Sequence, residues 1–387
     1  MVVEILKNLY YQPMQPIAEI ANSLSKSIPS VTKQLNELLT KNIIIEKGYA
    51  ASTGGRKAIQ YMLNENLEFI IISVSIDQFY TAITSSNLKG DVIATQDNIA
   101  IDLREPNASD NILEALGQFL SANQIDMRLV LGIGISMPGF VNADTGFNES
   151  YNDNSPLYNI REQVERKFHI PSVIDNDSRC VAWAEKKFGT AQESSHALVI
   201  NLNWGVGLGI LINDGIFKGT SGFAGEFSHI PLSDALTLCS CGKRGCLEVE
   251  ASLSAAIRNI EQDIKQGAYS IYDKLTNTYH NKVEAMIEAA QIGDQVAINN
   301  IGKVGYLLGK GISTLIHILN PSKIVISGRG AGIGHILAPH IQVAVNEYSI
   351  PKIAKETSLC ISTLHKRAQQ LGTTALVIEK FITNIIN

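Results

Sequence analysis

Apolar residues recur at helical spacing three times in the first forty positions. In "VEILKNLYY", Val3, Leu6 and either Leu9 or Tyr10 share a face, and "PIAEIANSLS" repeats the pattern with Ile17, Ile20, Ala21 and Leu24. The third run, "SIPSVTKQLNELLTKN", has Ser27 to cap a helix, Pro29 for its first turn and Val31, Leu35, Leu38 and Leu39 as the buried stripe. Its opposite face carries Ser30, Thr32, Lys33 and Asn36. The next stretch, "NIIIEKGYAASTGGRKAIQYMLN", reads as two strands around a glycine-rich tip that bears Arg56 and Lys57. Three short helices followed by a hairpin predict a winged helix-turn-helix domain over residues 1–66. The third helix is placed for a major groove, and the tip can reach phosphates or a minor groove.

From residue 67 the pattern changes to alternating strands and helices. "FIIISVSI", "TAITSSNL" and "GDVIATQDNI" are β-rich runs in meander order, and "HALVINLNWGVGLGILIND" begins a second meander of the same kind. Between and after them lie the buried strand "RLVLGIGISMPGFV", the strand "SVIDND", the helix "SRCVAWAEKKFG" and the strand–turn–helix "PSKIVISGRGAGIG". The run from Gly293 to Asn320 reads as a long amphipathic helical stretch interrupted by glycines. A duplicated α/β lobe follows: residues 67–185 form the first lobe, joined by a returning C-terminal helix at 366–387, and 186–365 form the second. A cleft between such lobes suits a small ligand.

Charge refines this division. Residues 1–64 hold seven Lys/Arg against four Glu, a net +3, while the whole chain of 387 residues is −5, leaving −8 for the body. A basic head on an acidic body confines phosphate contacts to the head. No run reaches the ~20 apolar residues of a membrane helix, and the start lacks the pattern of a secretory signal. Five cysteines, three of them within eight positions, point to a reduced, cytoplasmic protein.

Those three, Cys239, Cys241 and Cys246, have C-x-C-x₄-C spacing with Gly242 and Gly245 to tighten the loop. Grouped thiolates favour a tetrahedral metal ion, zinc by default, with His229 the nearest histidine for a fourth ligand. Four protein ligands leave no open position, which makes the ion structural. The alternative is three incidental thiols around a loop.

"GFAGEFSHIPL" followed by "CSCGKRGCLE" resembles the signature of the ROK family of bacterial repressors and sugar kinases, in particular its repressor branch. "STGGRK", "SMPGFV", "DNDSRCVAWAE", "NPSKIVISG" and "AQQLGTTALVIEKF" extend the likeness through most of the chain. The resemblance implies an actin-like, two-lobed sugar-kinase fold and zinc on His229, Cys239, Cys241 and Cys246. It also implies a sugar held by Glu226, His229 and Glu248, with Asn176 and Asp177 from the other lobe. One departure is Ser228, where the family has glycine before the zinc histidine. Asp177 would be the general base of a kinase, or else the N-cap of the helix that follows it.

Phosphoryl transfer also needs glycine turns that cradle phosphates. Here the first turn reads "IDQFYT", with Gln78 and Phe79 in place of glycines, and the second reads "NWGVGLG", with Asn203 and Trp204 in place of Gly-Thr. Only "SGRGAG" keeps the expected form, and a strand-to-helix turn explains it. The expectation is therefore a non-enzymatic, sugar-responsive regulator that binds operator DNA as a dimer or tetramer, with a monosaccharide or sugar phosphate as effector. An ATP-dependent sugar kinase is the alternative, and control by another protein is a third possibility.

Overall fold

The computed structural model describes residues 1–49, 58–232, 237–279 and 281–386. The head consists of α1 (Val2–Tyr11), β1 (Gln15–Pro16), α2 (Ile17–Ser23), α3 (Ile28–Thr40), β2 (Ile44–Tyr49) and β3 (Ile59–Leu63). Its three strands pair in the order β1-β3-β2, beside the three helices. The buried stripe of α3 is Val31, Leu35 and Leu38, with Leu39 half-buried. In α1 the buried residues are Ile5, Leu6 and Leu9, so Ile5 takes the place expected for Val3. Ser27 stands at the N-cap position of α3 but makes no side-chain cap bond there.

The body opens with β4 (Ile70–Ile76), β5 (Tyr80–Asn87), β6 (Val92–Ala100), α4 (Ala108–Ala122) and β7 (Val130–Met137). Two short strands follow, β8 (Val141–Asn142) and β9 (Phe147–Asn148), then α5 (Ile160–Phe168), β10 (Ser172–Asn176) and α6 (Asp177–Lys187). Next come β11 (Ala197–Leu202), β12 (Val206–Ile212), β13 (Gly215–Ile216), α7 (Glu248–Ala251) and α8 (Leu253–Lys265). The chain continues through α9 (Tyr272–Leu275), α10 (Lys282–Gln291), α11 (Gln295–Leu319), β14 (Lys323–Ser327) and α12 (Gly334–Tyr348). It ends with α13 (Pro351–Ala354), β15 (Ser358–Ile361) and α14 (Arg367–Phe381).

Two five-stranded sheets have the orders β10-β7-β4-β5-β6 and β13-β12-β11-β14-β15. In each the first strand is central, the next two follow as an antiparallel meander, and a later strand joins its other side in parallel. The same topology twice in one chain is a duplicated lobe.

Contacts divide the chain into two units: residues 1–139, 143–175 and 373–387, and residues 140–142 with 176–372. The head does not separate from the first unit. Ile5, Leu6, Leu9, Leu35 and Leu38 share one buried cluster with Ile71, Val173, Val377, Ile378 and Ile382. The second unit begins at Asn176, not at 186, because α6 buries Val181 and Ala182 against Val199 of β11 and Leu211 of β12. It runs on to Gly372, past 365, because Ala368 of α14 belongs to that same cluster.

The long apolar run is one unbroken helix, α11, and its glycines do not interrupt it. They serve packing: a Cβ at Gly309 would stand 2.6 Å from the Ile341 carbonyl oxygen of α12, so glycine lets the two helices meet backbone to backbone. No helix among the described residues is long and apolar enough to cross a membrane.

Candidate metal centre and carboxylate site

The cysteine segment folds back on itself within the second unit. Cys239 N donates to Lys243 O at 2.8 Å, Leu232 N to Gly245 O at 3.0 Å and Leu247 N to Ile230 O at 3.0 Å. Gly242 and Gly245 take φ of +83° and +77°, a region open to glycine at little cost, and so turn the loop around its centre. His229 closes a short 3₁₀ turn, Phe227–His229, that reaches the same centre. The ligand atoms of His229, Cys239, Cys241 and Cys246 all lie within 4.8 Å of one another.

The spacing can be tested against a tetrahedral ion. Bonds of ~2.3 Å to sulfur and ~2.0–2.1 Å to nitrogen require ligand–ligand edges of ~3.6–3.8 Å. Cys241 Sγ and Cys246 Sγ are 3.6 Å apart, and Cys239 Sγ lies 3.5 Å from His229 Nδ1. The four residues therefore fit a four-coordinate metal. Their electrostatics point the same way. Burial, reinforced by the neighbouring thiols, pushes Cys246 up to about 12, so a thiolate there requires a cation beside it. Cys241, exposed, is instead lowered by a hydrogen bond from the Lys243 backbone. Ser228 has no left-handed backbone and sits within the 3₁₀ turn, so the expected glycine is not needed.

Around this centre stand the carboxylates. His229 points Nδ1 at Cys239 and Nε2 at Glu226, whose Oε2 is 3.7 Å away. Glu248 begins α7, with Oε2 3.8 Å from Cys239 Sγ. Partial burial raises both glutamates above their ordinary range, and His229 works against the shift in each. A Cβ at Gly205 would stand 2.6 Å from Glu248 Oε1, so glycine leaves that carboxylate its space. Asn176, not Asp177, caps α6: its Oδ1 accepts from Ser178 N at 2.9 Å and Arg179 N at 3.2 Å. Asp177 is the first helical residue, and its Oδ2 accepts from Asn201 Nδ2 at 3.3 Å. All five residues expected to hold a sugar thus belong to the second unit.

Two partners escaped the sequence reading. Asn201, next to last in β11, lies beside Asp177 and Ser178. Arg179, only 5% exposed, donates from Nη2 to Val141 O at 2.5 Å and from Nη1 to Gly222 O, tying down the loop ahead of Glu226. A charged residue on the apolar side of "SRCVAWAE" was the available signal.

The turns of the phosphate-binding type are filled. In the first unit, Asp77 Oδ1 accepts from Gln78 N at 2.6 Å, and Arg104 lies over the Phe79 ring at 4.8 Å. In the second, Asn203 Oδ1 accepts from Arg329 N at 2.8 Å while its Nδ2 donates to Asn201 Oδ1 at 2.9 Å. One backbone amide of the "SGRGAG" turn is thereby used internally. Trp204 packs on the core of the second unit, and Arg329 pairs with Glu284 at 2.8 Å.

On the head, Lys33 and Asn36 are exposed on α3. Thr32 Oγ1 donates to Ile28 O at 2.8 Å, and Ser30 Oγ lies 3.4 Å from Met1 Sδ. Arg56 and Lys57 lie outside the described residues.

Comparison with known proteins gives these features a setting. The chain is 30% identical over 378 residues to the DNA-binding transcriptional dual regulator NagC of Escherichia coli strain K12, covering 97% of this chain and 91% of that one. It is 27% identical over 383 residues to the xylose repressor of Bacillus spizizenii, covering 98% and 94%. Among solved structures it is similar to a ROK family transcriptional regulator, a homologue of the E. coli MLC protein. That match has a TM-score of 0.77 and 27% identity, and covers 100% of this chain and 98% of that one. A ROK family glucokinase from Streptomyces griseus, solved with glucose and AMPPNP, matches with a TM-score of 0.68 and 25% identity, over 79% of this chain and 98% of its own. The duplicated sheet is the actin-like arrangement shared by these neighbours. With the ROK family model matching residues 72–380, the chain belongs to the ROK family.

Proposed function

We propose that the chain is a sugar-responsive transcriptional regulator of the cytoplasm, in its simplest form a repressor of carbohydrate uptake or catabolism genes. One observation carries this reading: a single chain holds both a winged head with an exposed α3 face and a corner of carboxylates braced by a His/Cys₃ cluster. Lys33 and Asn36, with Ser30 and Thr32 nearby and with Arg56 and Lys57 of the TGGRK segment, meet operator DNA. Two heads in a dimer meet half-sites about one helical turn apart. Asn176, Asp177, Glu226, His229 and Glu248 hold the hydroxyls of a monosaccharide or its phosphate, since carboxylate oxygens accept from sugar hydroxyls in bidentate fashion. The ion is zinc, held by His229, Cys239, Cys241 and Cys246. His229 would hold the ion through Nδ1, which faces Cys239, with Nε2 left for the sugar and Glu226.

The filled turns at Phe79 and Asn203–Trp204 support a body that binds sugar without phosphorylating it. The test uses the full chain, a duplex selected by that chain from a random DNA pool, and a panel of xylose, glucose, N-acetylglucosamine and their phosphates. One sugar should raise the melting temperature and release the DNA. Lys33→Ala should weaken DNA binding and lower the salt slope by about 0.9 for one lost phosphate contact. Sugar-dependent formation of ADP from ATP at ordinary kinase rates defeats the non-enzymatic reading, and failure of every sugar to release the DNA defeats the effector reading.

A further inference from the structure

Among the described residues, α14 is the one helix that the division into units cuts through. Its first turns, to Gly372, belong to the second unit, and the rest belongs to the first. At the near end Ala368 is buried with Val181, Ala182 and Ala184 of α6, the helix that starts at Asp177. The contact is close: a Cβ at Gly372 would stand 1.9 Å from the Cys180 carbonyl oxygen. At the far end Val377 and Ile378 are buried with Ile5, Leu6 and Leu9 of the head helix α1. There Glu379 accepts from Lys7 Nζ at 2.6 Å through Oε2 and from the Tyr11 hydroxyl at 2.9 Å through Oε1. Gly372 and Glu379 are seven residues apart, two helical turns or ~10 Å, on the same side of α14.

The two flanks of α1 differ. On one flank Glu379 grips it with both carboxylate oxygens. On the other, Leu9 and Tyr10 line a cavity of about 510 Å³ together with Met14, Met62, Leu67 and Phe69. The Lys7–Glu379 pair, with side chains 26% and 27% exposed, adds a directional polar tie between α1 and α14 to the apolar packing they share.

We propose that Glu379 is a positioning residue for DNA binding: through Lys7 and Tyr11 it fixes the head to α14, and α14 carries the state of α6, where the sugar is read, to that head. The inference rests on the sugar-binding role proposed for Asp177 on α6. It names a discrete physical link, and coupling energy is the quantity that tests it.

The experiment measures DNA affinity of the full chain with and without xylose, glucose and N-acetylglucosamine as probes. Glu379→Ala should bind the probe sugar and metal as the parent does, yet its sugar-induced loss of DNA affinity should shrink to within about twofold, from the 5- to 150-fold of an ordinary allosteric coupling. Exchanging the charges, Lys7→Glu with Glu379→Lys, should restore the response. Should the exchanged pair fail to fold, Tyr11→Phe, which deletes one hydroxyl, decides with a partial loss. A full response in Glu379→Ala overturns the proposal, as does a full response in Tyr11→Phe. So does a folded charge exchange that stays unresponsive. If the parent ignores every sugar, the effector reading fails instead. Amide exchange of residues 2–11 then judges the anchor: faster exchange in Glu379→Ala upholds it, and unchanged exchange overturns it.

Discussion

The metal corner and the turn at Asn203–Gly205 adjoin one another in the second unit and are built on opposite rules. In the His/Cys corner, glycines at 242 and 245 bend the backbone so that side-chain donors converge on one centre. At the turn, Asn203 spends its side chain on Arg329 N and Asn201, and Trp204 packs against the core. Gly205 marks the border, keeping room for Glu248. A region that receives a ligand leaves polar groups converging without mutual satisfaction. The Asn203 turn instead closes its polar groups on each other, because buried donors do not stay unpaired.

The contrast can be broken by experiment. The largest effect belongs to Cys246→Ser. It should abolish stoichiometric metal binding, read by elemental analysis, and lower the thermal midpoint by ~5–10 °C, given that 1 kcal/mol moves a domain of this size by ~2–4 °C. Retention of metal would put the centre elsewhere. Next comes Asp177→Asn, which should keep the metal but weaken the effective sugar by ~10- to 100-fold in calorimetry, in line with the ~1.5–3 kcal/mol of a hydrogen bond to a charged group. The smallest effect sharpens the comparison from the other side. Asn203→Ala should cost ~1–2 kcal/mol of stability through the orphaned Arg329 amide while leaving sugar affinity within about twofold. A large loss of sugar affinity there would make the turn part of the binding site after all.

Much of this was legible in the residues because it is local. Helical spacing placed α1 to α3, strand runs in meander order placed both sheets, and C-x-C-x₄-C spacing with a nearby histidine brought together the four ligands that converge. Errors fell where distance along the chain is a poor guide to distance in space. Glycines in "GDQVAINNIGKVGYLLGKGISTLIHILN" read as breaks because their partner, α12, lies tens of residues away. The N-cap reading weighed beside a sugar-binding role for Asp177 falls one residue away, on Asn176. Arg179 and Asn201 show their roles only once β11, α6 and residues 140–142 meet.

By itself, then, the sequence determined which segments form elements and which chemical groups they carry, since propensity and periodicity act over a few residues. Only the tertiary structure decided that the head shares a buried core with the C-terminal helix and that Glu379 reaches Lys7 across more than three hundred and seventy positions. It likewise decided that a phosphate-type turn is stitched shut by its own asparagine. Such pairings are chosen by burial and hydrogen-bond satisfaction in the assembled fold, which no local pattern encodes.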